Sequence, residues 1–410
     1  MTTASNYRLM TLLLGLLCVF PAFAKFEKEQ AALDALMAKR QYASAAEYIH
    51  SRPNLLNEPR FFRQLSHILT NYYTFQVNFG LFATRDLKEG ERLEDVRGAK
   101  GDHKMVGGDW EKSLYDTLKK HPESPDINFA VGEYLSLGQL CGCTSLRLFR
   151  GEQADDFFYF ERAYKGDVFD YWSLFRMGNH YAGGPSPDLK KATGYYEKSL
   201  KLNPDYTEIH YNLASVYYSL GDYKTAKKHS AETLGKYPNA TLNADSYANY
   251  GRIEAALGNY SSAEKNYQKA REYVFWHAPT FNELASLYRK TRRFDAYKKT
   301  VNDYIALDYG NTYTFNVYVD YLADHKLIKE DREIVTELAK RQYSRTEEIG
   351  AVFFNLGRIA EMEENTALAS QYYAKSLEAV KKLPNPPPGA IEALTQYINR
   401  LQSKGPNSGS

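Results

Sequence analysis

The chain has few cysteines, almost no excess of either charge and only one long apolar run. Three cysteines occur in 410 residues, at Cys18, Cys141 and Cys143. A disulfide-rich scaffold is excluded, because such folds need a much denser set of cysteines. There are 52 basic and 50 acidic residues, which gives a formal net charge of +2. Because no long basic run is present, we do not expect a nucleic-acid-binding protein.

Common catalytic and cofactor motifs are also missing. The sequence has no Gly-x4-Gly-Lys-Ser/Thr, no Gly-x-Gly-x2-Gly, no His-Glu-x2-His and no nucleophile elbow with its partner residues. The nine histidines are scattered along the chain. We therefore expect no enzyme activity, no cofactor and no metal site.

The apolar run lies at the N-terminus. Residues 1–24 have a polar start with Arg8, an apolar stretch from Leu9 to Phe20 and small residues at Ala22 and Ala24. This pattern predicts a cleaved signal peptide, because the run is short for a membrane span and Pro21 interrupts it. We expect a mature chain that starts at Lys25 and is periplasmic or secreted, with no membrane span after cleavage.

Two cysteines remain after the predicted cleavage, Cys141 and Cys143. An even cysteine count in an exported chain predicts a disulfide between them. A Cys-Gly-Cys bond closes a very small ring, so its entropic stabilisation is slight and strain would make it easy to reduce. We expect the disulfide to be a structural pin on a loop, and the alternatives are a redox role, a metal site and two free thiols.

The most informative pattern is a helical repeat that is clearest from Thr207 to Ala240. Its first helix, its turn and its second helix carry Leu213, Ala214, Tyr217, Gly221-Asp222-Tyr223, Ala226, Leu234 and Pro238. This pattern resembles the 34-residue tetratricopeptide (TPR) repeat. The resemblance implies an all-α fold, a right-handed superhelical solenoid of helix-turn-helix repeats with a C-terminal capping helix.

The repeat pattern and the composition predict the order of segments. These are 1–24 signal peptide, 25–84 degenerate TPR-like helices, 85–109 charged Gly-rich inserted loop, 110–170 divergent TPR-like helices with a Cys-containing insertion, 171–383 TPR solenoid, 384–402 Pro-rich stop and capping helix, and 403–410 disordered tail. Tyr72 to Leu81 suits a strand as well as a helix. Tyr297 stands where the family has alanine, and we expect its bulk to loosen the contact between its two helices.

In the TPR family the first helix of each repeat lines a concave groove. Transferring the family's groove positions to this sequence nominates Trp172, Phe175, Arg176, Asn179, Tyr211, Asn212, Ser215, Tyr218, Asn249, Arg252, Asn282, Arg289, Phe354, Asn355 and Arg358. Aromatic rings beside Asn and Arg suit an extended peptide, whose backbone needs amide partners. Asn and Tyr are also consensus choices at two of these positions, so part of this set is expected to be framework.

The leading hypothesis is an exported TPR scaffold that binds a protein or peptide partner of the cell envelope, in envelope assembly or secretion. Two alternatives stay open. One is a glycan-binding accessory of polysaccharide export that uses stacked aromatic rings, and the other is a thiol-active protein that uses Cys141 and Cys143. The sequence does not predict the oligomeric state.

Overall fold

The chain is described by a computed structural model that covers residues 26–72, 75–78, 81–93, 103–141, 147–306, 313–329, 331–332, 334, 337 and 346–403. The described residues form two compact units, one that ends at Asp205 and one that begins at Tyr206. The predicted signal peptide, Cys143 and the tail after Ser403 lie outside the described residues. The predicted all-α fold is confirmed, apart from one small sheet in the first unit.

The first unit consists of helices and a three-stranded sheet. Its elements are α1 (Glu27–Ala38), α2 (Tyr42–His50), α3 (Pro53–Leu56), α4 (Pro59–Asn71), β1 (Phe75–Asn78), β2 (Leu81–Thr84), β3 (Lys104–Gly107), α5 (Trp110–Lys120), α6 (Pro125–Cys141), a short 3-10 helix (Gly151–Ala154), α7 (Asp156–Lys165), α8 (Tyr171–Ala182) and α9 (Leu189–Leu202).

The sheet shows that Phe75–Asn78 and Leu81 are strand residues, and it modifies the predicted loop. Strand β1 pairs antiparallel with β2, and β2 pairs antiparallel with β3. Phe82 lies opposite Val106 in this register, and both side chains are buried in the core of the unit. Strand β3 therefore lies within the segment 85–109 that was predicted as loop. Its side chains alternate as in a half-buried strand, since Met105 is exposed and Val106 is buried.

The second unit consists of helices alone within its described part. They are α10 (Thr207–Ser219), α11 (Tyr223–Ala231), α12 (Ala240–Ala256), α13 (Tyr260–Tyr273), α14 (Ala278–Lys290), α15 (Phe294–Ala306), α16 (Tyr313–Asp324), α17 (Thr346–Met362), α18 (Thr366–Lys381) and α19 (Ala390–Ser403). Four pairs of consecutive helices pack against each other: α10 with α11, α12 with α13, α14 with α15, and α17 with α18. Across the described residues of both units, no helix has the length and hydropathy needed to cross a bilayer.

Turn chemistry fixes where the paired helices begin and end. Gly221 and Gly258 follow the first helices of two pairs with φ of 80° and 83°, a conformation that costs glycine little. Asp222 then caps α11, because its carboxylate accepts a hydrogen bond of 3.1 Å from the backbone N–H of Thr225. Such caps satisfy backbone donors at the helix start and keep each connection short.

Small residues let the two helices of a pair approach closely. Ala226, Ala263 and Ala369 are fully buried in the second helices of three pairs. At Gly178 and Gly357 of the first helices, the aromatic rings of Tyr196 and Tyr373 occupy the space where a Cβ would lie. In each pair, a small residue on one helix therefore makes room for a large side chain or for the backbone of the other helix.

Tyr297, predicted to loosen its helix pair, is fully buried with its ring beneath the guanidinium of Arg289 at 5.0 Å. Its hydroxyl donates a hydrogen bond to Asp331. Asp331 also accepts from Arg289 at 2.9 Å and from the hydroxyl of Tyr318 at 2.9 Å. The large side chain of Tyr297 therefore extends beyond the pair α14 and α15 and bonds to Asp331, which Arg289 and Tyr318 also contact.

The helix after the proline run closes the C-terminal end of the second unit. Leu394 and Leu401 of α19 are buried against Tyr373 of α18. Arg400 forms an ion pair of 2.6 Å with Glu361 of α17. Helix α19 thus covers the apolar face of the last pair, as a capping helix does.

Candidate functional site

The first helices of successive pairs in the second unit are neighbours, so their outward side chains share one face. Helix α12 packs beside α14, and it also contacts α10. Tyr211 and Tyr218 lie on α10, Asn249 and Arg252 on α12, and Glu283 on α14. We call these five residues the Arg252 cluster.

Arg252 is the centre of this cluster. Its guanidinium lies over the ring of Tyr218 at 4.6 Å, a cation–π contact between α12 and α10. Its Nη2 donates a hydrogen bond of 2.8 Å to Oδ1 of Asn249, one helical turn earlier. The side chain is half-buried, so the charge is held in place and shielded from much of the solvent.

Three polar atoms of α12 and α14 are buried and have no hydrogen-bond partner within the described chain. They are Nδ2 of Asn249, Nε of Arg252 and Oδ1 of Asn282. Two are donors and one is an acceptor, and they lie on the adjacent helices α12 and α14. Buried polar groups in native proteins are nearly always satisfied, and an orphan costs roughly 1–3 kcal/mol, so three orphans on two packed helices point to a ligand.

Glu283 places an acidic group next to Arg252. Burial raises the pKa of the Glu283 carboxyl, although the nearby Arg252 opposes this effect. The hydroxyl of Tyr267 donates a hydrogen bond of 3.1 Å to its Oε2. Burial likewise raises the pKa of Tyr211, which keeps its phenol neutral as a donor. The cluster thus offers donors, acceptors and aromatic rings in a partly desolvated setting.

The groove residues predicted in the first unit are engaged with their own chain. The Nε1 of Trp172 donates to Oγ of Ser136 at 3.2 Å, and its ring lies 5.5 Å from that of Phe175, which is buried. Arg176 forms an ion pair of 2.7 Å with the buried Asp156. Asn179 accepts a hydrogen bond of 2.7 Å from the hydroxyl of Tyr196. These contacts hold α6 to α9 together.

Several predicted residues of the second unit also support the framework. Arg289 pairs with Asp331, as described above. Asn355 is fully buried and donates to Asn316, and Arg358 forms an ion pair of 2.6 Å with Asp320. The ring of Phe354 lies 5.7 Å from that of Tyr373. These contacts tie α14 and α17 to the elements around α16, and to α18.

The remaining predicted residues lie on α10. Ser215 donates to the backbone carbonyl of Tyr211 one turn earlier, at 3.1 Å. Asn212 is half-buried beside it. The helical spacing from Tyr211 to Ser215 and Tyr218 puts all three on one side of α10.

Cys141 is the last residue of α6, and Cys143 lies outside the described residues. The disulfide and its thiol chemistry therefore stay predictions.

Sequence reasoning missed two features. Glu283 stands at the repeat position where Asn212 and Asn249 stand in the two preceding repeats, and that correspondence is the signal that marks it. A second group, His67, Glu133 and Asp170 of the first unit, has ligand-type atoms that lie within 4.8 Å of one another. Its members are separated by long stretches of sequence and form no motif.

Comparison with known proteins identifies the repeat. Residues 205–273 match the model of the tetratricopeptide repeat family. No curated protein matches the chain. The match covers α10 to α13 and thus includes four of the five residues of the Arg252 cluster.

Solved structures with low similarity were also found. PilF of Pseudomonas aeruginosa is 15% identical, with a TM-score of 0.33, and covers 57% of this chain and 97% of its own. YrrB, described as a TPR protein with an unusual peptide-binding site, is 16% identical, with a TM-score of 0.31, and covers 58% and 97%. The Cut9–Hcn1 complex is 13% identical in sequence, with a TM-score of 0.34, and the match covers 90% of this chain and 54% of the other.

Proposed function

Because the chain is a tetratricopeptide repeat protein, we propose that the Arg252 cluster binds an extended peptide segment of a partner protein. The observation that carries this proposal is the set of orphan polar atoms on Asn249 and Arg252 of the cluster and on Asn282, which precedes Glu283 in α14. An extended peptide presents alternating N–H and C=O groups, which can satisfy donors and acceptors on two neighbouring helices together. No catalytic step is needed for this role.

The aromatic residues of the cluster fit the same ligand. Tyr218 of α10 packs on the guanidinium of Arg252, and Tyr211 lies two turns earlier on the same helix as Tyr218. Peptide side chains can pack on these two rings while the peptide backbone bonds to the side-chain amides of Asn249 and Asn282. Arg252 and Glu283 carry opposite charges at neighbouring places. We therefore expect the cluster to select peptides by hydrogen bonding and shape more than by net charge.

The test is selection of binders from a library of unstructured peptides, followed by measurement of Kd. Tyr211→Ala with Arg252→Ala should weaken binding of the selected peptides at least about tenfold, since anchors at the centre of an interface dominate its energy. N-methylation of one or two peptide amides should weaken binding in a similar way, because it removes backbone donors.

A matched control lies on the second helix of the same repeat. Tyr273→Ala with Arg271→Ala changes the same residue types on α13 and should leave the peptide Kd unchanged. Each double variant is first checked for native helical content by circular dichroism. Equal affinity of the folded cluster variant and the wild-type chain would rule out the Arg252 cluster as the binding site.

We also propose that the chain acts outside the cytoplasm, in the cell envelope. The signal-peptide pattern of residues 1–24 supports this, as does the pair of cysteines that remains after it. N-terminal sequencing of the protein from the envelope fraction should begin at Lys25. Recovery of the intact N-terminus from the cytoplasmic fraction would contradict export.

The partner can then be identified in place. Crosslinking in the native envelope and mass spectrometry of the adducts should give a protein that the wild-type chain captures and the Tyr211→Ala, Arg252→Ala variant does not. Capture that is equal for both chains would mean that the partner binds elsewhere.

A further inference from the structure

A second cluster lies in the first unit, where three side chains of metal-ligating type meet. His67 is on α4, Glu133 is on α6 and Asp170 directly precedes α8. One potential ligand atom from each lies within 4.8 Å of the other two. No residue of the Arg252 cluster takes part.

The three side chains are held by their surroundings. Nδ1 of His67 lies 2.7 Å from Oε1 of Glu133, and Nδ2 of Asn71 donates to the same oxygen at 3.1 Å. Oδ1 of Asp170 accepts from the backbone N–H of Ser173 at 2.7 Å and so caps α8. Each element is therefore fixed with its ligand-type group facing the others, which reduces the ordering that a bound ion would require.

Glu133 is the unusual member. Its side chain is only 4% exposed, yet its Oε2 has no hydrogen-bond partner within the described chain. A buried carboxylate oxygen without a partner is costly, and a bound cation is a common way to satisfy it. The imidazole of His67 thus has two carboxylates near it, Glu133 in hydrogen-bond contact and Asp170 within 4.8 Å. The nearby guanidinium of Arg63 is bonded through Nε to Asp126 at 2.7 Å, so its charge is already paired.

A cavity of about 320 Å³ adjoins the cluster. His67 and Asp170 line it, together with Asp34, Gln64 and Phe129. Oε1 of Gln64 is a further buried acceptor without a partner. The cavity has room for water beside the cluster, and its wall carries groups that can orient a water molecule.

We propose that His67, Glu133 and Asp170 bind one zinc ion, with water from the cavity as the fourth ligand. One imidazole, two carboxylates and water form a ligand set that zinc accepts in tetrahedral sites. Tetrahedral ligands at zinc distances lie roughly 3.3 Å apart. Nδ1 of His67 and Oε1 of Glu133, now 2.7 Å apart, would separate by about half an ångström, and ligand atoms as far as 4.8 Å apart would approach by roughly 1.5 Å. The ion would join α4, α6 and the start of α8, and it would satisfy the orphan oxygen of Glu133.

The test is calorimetric titration of the untagged chain with zinc chloride, together with the thermal midpoint Tm. We expect one ion per chain and a rise in Tm that is complete near one equivalent. Binding of cobalt in place of zinc should give the absorption bands of a tetrahedral site. Glu133→Gln and His67→Gln should each lower the affinity for zinc at least about tenfold, because each removes a ligand.

Two controls address other groups that bind zinc. His210→Gln removes one of two imidazoles whose Nδ1 atoms lie 3.1 Å apart in the second unit. Cys141→Ser with Cys143→Ser removes the thiols. Both controls should keep the wild-type affinity and stoichiometry.

The comparison of Glu133→Gln with wild type remains decisive if His67→Gln fails to fold, because glutamine keeps the shape and removes the charge. Absence of zinc binding by the folded wild-type chain would overturn the proposal. So would wild-type zinc affinity in folded Glu133→Gln, or loss of binding only in the histidine or cysteine control.

Discussion

Tyr267 of α13 lies directly on Gly251 of α12, so closely that a Cβ added to Gly251 would be 2.6 Å from Cε1 of the ring. The hydroxyl of Tyr267 extends past the glycine to Glu283 on the next first helix. The ring therefore joins one helix pair to the next. In the pair α10 and α11 the corresponding positions hold Ala214 and Ser230, both buried. The larger Tyr267 therefore faces the smaller Gly251, whereas the smaller Ser230 stands opposite the larger Ala214.

This size matching predicts that the destabilising effect of one substitution depends on whether the Tyr267 ring is present. Gly251→Ala in the wild-type chain should lower the free energy of unfolding by about 1–3 kcal/mol, because the new methyl group overpacks against the ring. With Tyr267→Ser already present, the same Gly251→Ala should lower it by less than about 1 kcal/mol, because the clash with the ring is gone, alanine favours helix and only a contact of 3.1 Å with the carbonyl oxygen of Ala263 remains. Urea denaturation of the four chains measures both effects.

Gly194 provides the control for helix propensity. It lies inside α9, and nothing lies within 4 Å of the place where a Cβ would be. Gly194→Ala should therefore stabilise the chain by about 0.5–1 kcal/mol. A stabilising Gly251→Ala in the wild-type background would contradict the close packing of Tyr267.

The buried tyrosines predict unfolding at alkaline pH. Burial raises the pKa of Tyr159 to about 12 and of Tyr288 to about 12, whereas tyrosine in an unfolded chain ionises near pH 10. A raised folded pKa gives stability that is fully present below pH 10 and is lost as the pH rises towards 12. Tyrosinate absorbance and far-ultraviolet circular dichroism, recorded together against pH, should change in one joint transition.

Smooth ionisation of all tyrosines near pH 10, with the helical signal intact, would contradict this. A sample held at pH 9 provides the control, because neither the folded nor the unfolded chain should carry much tyrosinate there.

The repeat itself could be predicted from the sequence, because its signals are local. Gly221 and Gly258 mark the ends of first helices, and Ala226 and Ala263 mark the contact within each pair. The sheet was harder to predict. Phe75 and Val77 alternate over too few residues to separate strand from helix, and the third strand lies beyond a long glycine-rich segment.

The candidate site could be predicted only in part. Transfer of family positions found Asn249 and Arg252 because they keep the repeat spacing. It also selected Arg176 and Arg289, whose ion-pair partners Asp156 and Asp331 lie outside the repeat pattern. Contacts between distant segments cannot be inferred from the spacing within one repeat.

Asp331 holds one such distant contact, and its removal should be strongly destabilising. The carboxylate is buried and accepts hydrogen bonds from Arg289, Tyr297 and Tyr318. Asp331→Ala leaves a partly buried guanidinium and two buried phenols without their partner, so we expect a loss of about 3–5 kcal/mol. Asp331→Asn should lose less, because the amide oxygen still accepts. Chemical denaturation monitored by fluorescence measures both.

The control is Asp320→Ala. Asp320 also pairs with an arginine, at 2.6 Å from Arg358, but it is 58% exposed. Exposed pairs contribute about 0–1 kcal/mol. If the two alanine variants were equally destabilised, burial of the Asp331 cluster would not be the cause.

Glu283 connects stability to the proposed peptide site. Burial raises its pKa and Arg252 only partly opposes this, so ionisation of Glu283 disfavours the folded state. The stability that this group contributes is present below its unfolded pKa and is lost as the pH rises through its folded pKa. Glu283→Gln should therefore raise Tm by a few degrees at pH 8 and hardly at pH 4. Glutamine can still accept the hydrogen bond from Tyr267.

The exposed Glu272 of α13 is the matched control, and Glu272→Gln should change Tm little, because exposed charges contribute only about 0–1 kcal/mol. A lower Tm of Glu283→Gln at pH 8 would mean that the attraction between Glu283 and Arg252 outweighs the cost of burial. In that case the two charges would form a stabilising pair of the framework, and Arg252 would be less available to a peptide. The sign of this one difference therefore tests the electrostatic balance on which the proposed binding surface depends.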